Sequence, residues 1–153
     1  LGVLVAIGLW WIYFDLVSSR PPISGRTQLW LYLHLPFVIA IAAGGAGVLN
    51  TVEHAGDAVP DDVRWLLVGS LAVAVASVAA ISRTLEIRRR YAAVYRPAEA
   101  ALIISGLLSL VVGLTGWGAK MSLTAMVVLL SAPVVTGLIV WLKHTDPEIV
   151  ELD

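Results

Sequence analysis

An all-α, polytopic membrane bundle of about five spans is the fold class this sequence predicts, and three observations carry it. Hydrophobic residues make up 59% of the 153 residues and charged residues only 14%, a balance outside the ordinary soluble range. Long apolar runs recur, the most prominent within residues 27–57, TQLWLYLHLPFVIAIAAGGAGVLNTVEHAGD. Runs near 20 residues are long enough to cross a bilayer as helices. Lys and Arg are spread unevenly over the connections between the runs, as the positive-inside rule expects of a multi-pass protein.

Other classes are set aside by composition. The net charge is −1, so nothing marks nucleic acid as a partner. The chain has no cysteine, which excludes disulfides, thiolate metal sites and cysteine nucleophiles. It opens with Leu1 inside the apolar run LGVLVAIGLWW, without the basic region that begins a signal peptide, so the expectation is that an upstream part is missing.

The elements follow in order. A first span is expected over 1–18, closed by Trp10, Trp11, Tyr13 and Phe14, aromatics that favour the headgroup level, with Asp15 just inside. Pro21 and Pro22 stop it and Gly25 lets the loop turn. The second span, 27–50, carries His34 near one end and Pro36 beyond it. Its pairs Ala40/Gly44 and Ala43/Gly47 have the small-xxx-small spacing that allows close helix approach. After an acidic loop, Asp61 is expected as the N-cap of a third span, 64–82, whose Ala, Val and Ser content suits the bundle interior. The polar stretch SRTLEIRRRYAAVYRPAEA precedes a fourth span, 97–115, with Pro97 at its first position and Glu99 near its positive dipole end. A fifth span, 122–142, has Pro133 at its middle, and residues 146–153 form an acidic tail after a transmembrane domain covering 1–145.

Orientation comes from counting cations. The first, third and fifth connections collect Arg20, Arg26, Arg83, Arg88, Arg89, Arg90, Arg96 and Lys143, against Arg64 and Lys120 on the other side. The arginine side and the C-terminus are therefore expected in the cytoplasm.

Ionisable side chains at membrane depth are the candidate functional residues, because an unpaired charge there is costly. Asp15 and His34 come first. The depths inferred from Arg20 and Arg26 differ by only ~5 Å at ~1.5 Å per residue, so an Asp–His proton-relay pair is geometrically allowed. The competing reading is a buried polar pair that fixes packing, or a histidine bonded to a backbone carbonyl freed by Pro36. Asn50, Glu53 and His54 share one face at i, i+3 and i+4 near the outer end, with Asp57 close in sequence. A metal site needs more ligands and HExxH is absent, so an interfacial solvated cap is the plainer reading and no metal or cofactor is expected. Arg88, Arg89 and Arg90 either anchor topology or meet anionic lipid headgroups. Ser105, Ser109, Ser131 and Thr136 are expected to bond backbone carbonyls within their own helices, since no GxSxG or neighbouring base is present.

WWIYFD with its Pro-containing loop, then WLYLHLP and a Gly/Ala-rich span ending in Glu53 and His54, resembles the C-terminal part of the bacterial low temperature requirement protein A family. Members are polytopic membrane proteins more than twice this length, with an early FFDLVF-type motif to which YFDLV of this chain is similar. The resemblance implies an internal duplication and an N-terminal half as partner. Residue by residue it points to Trp10, Trp11, Asp15, His34 and Glu53. The family name reflects growth in the cold and implies no settled activity.

Two functions are expected from these readings. One is a transporter or ion or proton pathway of the bacterial cytoplasmic membrane, with Asp15 and His34 in a polar route. The alternative is a structural or sensory membrane protein in contact with membrane lipids. An enzyme is not expected, because the visible groups form no nucleophile–base or metal constellation.

Overall fold

The computed structural model of the protein describes residues 1–18, 20–53 and 60–144. Six helices follow one another: α1 (Gly2–Leu16), α2 (Thr27–Glu53), α3 (Asp61–Ser82), the single turn α4 (Ile87–Arg90), α5 (Ala92–Leu114) and α6 (Ala119–His144). Apart from one isolated β-bridge, no other regular element occurs among the described residues. The all-α polytopic expectation holds. Four helices are long and apolar enough to cross a membrane, and α1 is a shorter apolar helix. With 22 residues α3 measures ~33 Å, against a hydrocarbon thickness of ~30 Å.

Helix α3 is the spine. It packs between α2 and α5, α5 packs on α6, and α6 returns to α1, which also touches α3. The Ala/Val/Ser composition explains this position: small and β-branched side chains let neighbours approach on several sides. Val68, Val75, Val78 and Ile81 are fully buried there, facing Leu102 and Tyr95 of α5 and Ile12 and Leu16 of α1 in one core. The outer faces carry Leu31, Ile39, Leu107, Leu114 and Val128, all exposed. Such apolar exposure suits hydrocarbon as the solvent.

The small residues of α2 do what their spacing suggested. A Cβ on Gly47 would lie 2.9 Å from Leu67 Cδ2, and one on Gly44 would lie 2.9 Å from Ser70 Oγ, both on α3. Gly113 of α5 is equally tight, 2.8 Å from Val68 Cγ2 by the same construction. Hydroxyls behave nearly as expected. Ser131 and Thr136 donate to carbonyls of their own helices. Ser109 is shared between the Gly106 carbonyl of its own helix at 2.8 Å and the Val68 carbonyl of α3 at 3.1 Å, and Ser105 reaches across to the Leu129 carbonyl of α6 at 2.8 Å.

Two helix starts differ from the sequence reading. Asp61 is the first helical residue of α3, not its N-cap, and its carboxylate pairs with Arg64 at 2.8 Å, one turn on. Helix α5 begins at Ala92, so Pro97 lies inside it and not at its first position. Buried Tyr95 anchors that extra turn by donating to the Leu16 carbonyl of α1 at 3.1 Å. The missing proline N–H deprives only the Ala93 carbonyl of its intrahelical donor.

At the arginine-bearing end the first and third connections are stitched together. Ile23 N–H donates to the Thr84 carbonyl at 2.8 Å and Glu86 N–H to the Pro21 carbonyl at 3.3 Å. The chain then turns back through Gly25, whose φ of +83° suits the third position of a type II turn, closed by Arg26 N–H to Ile23 carbonyl at 2.9 Å. The acidic tail lies outside the described residues.

Candidate functional site

Polar side chains gather in two places along the bundle. The first lies between α1 and α2. Tyr13 points from α1 toward α2, where its ring stacks on Phe37 at 5.1 Å between centroids and meets His34 edge-on at 5.9 Å. His34 Nδ1 lies 2.7 Å from the Trp30 carbonyl and Nε2 lies 3.2 Å from the Tyr13 hydroxyl. A carbonyl only accepts, so in the neutral ring Nδ1 carries the hydrogen and Tyr13 donates to Nε2. Trp30 packs against the imidazole at 4.4 Å, and its buried indole N–H has no acceptor among the described residues.

The expected Asp15–His34 contact does not form. Asp15 is exposed and lies against α6, 3.2 Å from where a Cβ on Gly137 would stand. The reason is rotation: two residues beyond Tyr13 means about 200° around the helix, so one of the two faces α2 and the other faces away. The histidine bonds a backbone carbonyl, but it is that of Trp30, four residues earlier on its own helix, and not the Tyr32 carbonyl that Pro36 leaves without its intrahelical donor.

Of the other motif aromatics, Trp10, Trp11 and Phe14 are each about half exposed, and Trp10 leans on Phe14 at 4.8 Å. Between α1 and α2 an apolar cleft of about 220 Å³ opens, bounded by Val5, Leu9, Ile41 and Val48, with Leu71 and Met126 among its walls. Asn50 is half-buried and Glu53 is the exposed last residue of α2. His54 and Asp57 lie outside the described residues. Among the described residues no three His, Asp or Glu side chains come together as a metal site.

The second constellation was not anticipated as a unit. Glu99, buried in α5, accepts from Ser82 Oγ at 2.9 Å, from Arg88 through both Nε and Nη2, and from Arg83 Nε at 3.4 Å. Arg88 thus grips both carboxylate oxygens, with Nη2 to Oε2 at 2.9 Å, in the forked geometry that guanidinium and carboxylate share. The Glu99 hydrogen bond pushes the Arg88 guanidinium above its ordinary value, against the smaller opposing effect of burial, so the charge persists at any working pH. Beside it, Arg20 donates to the Asp15 carbonyl at 3.1 Å and lies 5.8 Å from the Tyr95 ring centroid. Arg20 and Tyr95 together satisfy carbonyls at the C-terminus of α1, where cations are favoured.

The sequence did hold a signal for this cluster: a lone acid near the start of an apolar span, beside five arginines. Its reading as a dipole partner overlooked that a buried carboxylate needs a direct counter-charge. Arg88 is correspondingly a half-buried ion-pair partner of the bundle, unlike Arg89 and Arg90, which are exposed.

The family model for the bacterial low temperature requirement A protein matches residues 1–132, which takes in α1 to α5 and the first half of α6. The match is wider than the two spans that carried the resemblance in sequence. No curated protein and no solved structure matches the chain. The chain belongs to the bacterial low temperature requirement A family, and it is an integral membrane protein of several apolar helices.

Proposed function

We propose that this member of the family is a structural or sensory protein of the bacterial cytoplasmic membrane, without catalytic activity, whose intramembrane polar groups hold helices in register. The observation that carries the reading is His34, whose two ring nitrogens are both engaged, by the Trp30 carbonyl and the Tyr13 hydroxyl. A half-buried histidine held on both sides serves as a lock between α1 and α2, since paired polar groups within a bundle specify packing. The closed Glu99 cluster supports the same reading at the other polar centre.

Proteoliposomes containing the intact protein test it, with wild type beside His34→Ala and Asp15→Asn. The expected outcome is a lower melting temperature for His34→Ala and no ion or proton flux that depends on either residue. Flux abolished by these substitutions, at unchanged stability, would replace this reading with a transport pathway. That second reading draws on one observation, the apolar cleft between α1 and α2, beside which a separate apolar pocket lined by Leu9, Tyr13 and Phe37 lies.

A further inference from the structure

We propose that the arginine-bearing end of the bundle forms a binding site for the headgroups of anionic phospholipids, built by Arg26, Arg89, Arg90 and Arg96. The inference goes beyond the structural role above and depends only on the helices crossing a bilayer.

The fold sorts the arginines of this end into two groups. Arg20, Arg83 and Arg88 have partners on the bundle itself, the Asp15 carbonyl and Glu99, although Arg83 is also exposed. Arg26, Arg89, Arg90 and Arg96 are exposed, and among the described residues none of them has a carboxylate within ion-pair distance. Glu86 is the exposed acid in the same connection, and it leaves a clear cationic excess.

Two connections far apart in sequence supply these groups, and the fold brings them to one place. Arg26 closes the turn on Ile23, and Ile23 is bonded to Thr84, so the Arg26 backbone is held against the segment that leads into α4. Arg89 and Arg90 follow within that turn of helix. Arg96 lies four residues into α5, ~6 Å along its axis.

Depth selects the ligand. Arg26 immediately precedes α2, and residues 83–91 join α3 to α5, so these guanidinium groups lie where the spans leave the hydrocarbon. The headgroup zone is roughly 5–8 Å thick on each side, which matches that spread. Exposed Tyr91, with its ring centroid 5.9 Å from the Arg90 guanidinium carbon, is a residue type that favours the same layer. Guanidinium forks pair with phosphate oxygens in two-point fashion, and the phosphate diester of an anionic lipid presents them at this level.

The experiment is titration of the purified intact protein in detergent with short-chain phosphatidylglycerol, read by native mass spectrometry, beside phosphatidylcholine and inorganic phosphate. Wild type is expected to prefer phosphatidylglycerol. R89Q/R90Q is expected to lose about fivefold in affinity per arginine removed, and R26Q/R89Q/R90Q/R96Q to lose the preference. All variants should melt with wild type, since none of these side chains pairs with a buried group and the Arg90 contact with Tyr91 is between exposed neighbours. Equal binding of the two lipids, undiminished binding by the quadruple variant, or displacement by inorganic phosphate at comparable concentration would each overturn the assignment, the last by pointing to a free anion. A flux phenotype at His34 would leave this result untouched.

Discussion

At the residue scale the strongest single interaction is the grip of Arg88 on Glu99. The Glu99 side chain is 5% exposed and that of Arg88 32%, so the pair is largely withdrawn from water and its removal leaves a buried carboxylate under-compensated. Arg88→Ala is therefore expected to lower unfolding stability in detergent by about 3 kcal/mol, the low end for a broken buried pair because Arg88 retains some solvent. Arg88→Lys keeps the charge but not the fork and should recover part of that loss. Chemical denaturation of the three proteins side by side checks the order, and a loss below ~0.5 kcal/mol for alanine would mean that Ser82 and Arg83 suffice. The Tyr13 hydroxyl makes a smaller contribution. Tyr13→Phe keeps the stack on Phe37 and removes the donor to His34, so a loss of about 1 kcal/mol is expected.

At the element scale, contact between helices depends on a few missing side chains. Gly113 faces Val68 and Trp65 of α3 so closely that Gly113→Val forces the helices apart, an overpacking penalty of about 1–3 kcal/mol. Gly45 is the contrasting case on α2: a Cβ there meets nothing within 4 Å, so Gly45→Ala should be neutral or stabilising by up to about 1 kcal/mol. Melting temperatures of the two variants test the contrast, and a destabilising Gly45→Ala would contradict the described packing. The same elements explain what was legible beforehand. Spans, the interior place of α3 and the close face of α2 follow from composition and from the four-residue spacing of Ala40/Gly44 and Ala43/Gly47. Helix rise gave the depths of Asp15 and His34, but rotation about the axis is set by packing on α3 and α6, which no local pattern encodes. The partner of Glu99 was hidden for a related reason, because α4 and the break at Tyr91 fold Arg88 back onto α5 across eleven residues.

At the scale of the whole molecule, orientation is decided during insertion, when every cation counts regardless of its later partner. Eight Lys and Arg residues lie on the side of the first and third connections and the C-terminus, against Arg64 and Lys120 on the other. The fold agrees that the first and third connections share one end, since Ile23 and Thr84 are bonded there, while Arg64 donates to the Gly113 carbonyl at the opposite end. The positive-inside rule then predicts Ser24 on the cytoplasmic side and Lys120 on the opposite one. A chain with no cysteine makes this directly measurable, because a single introduced thiol is the only one available for labelling. Both positions are exposed, Ser24 in a connection and Lys120 in the first turn of α6, so Ser24→Cys and Lys120→Cys should leave the bundle intact. A membrane-impermeant maleimide applied to intact spheroplasts should label Lys120→Cys and reach Ser24→Cys only after permeabilisation. The reverse pattern would turn the molecule over and place the exposed arginines on the outer leaflet. Labelling of both thiols in intact cells would mean that the segments between them do not cross an odd number of times.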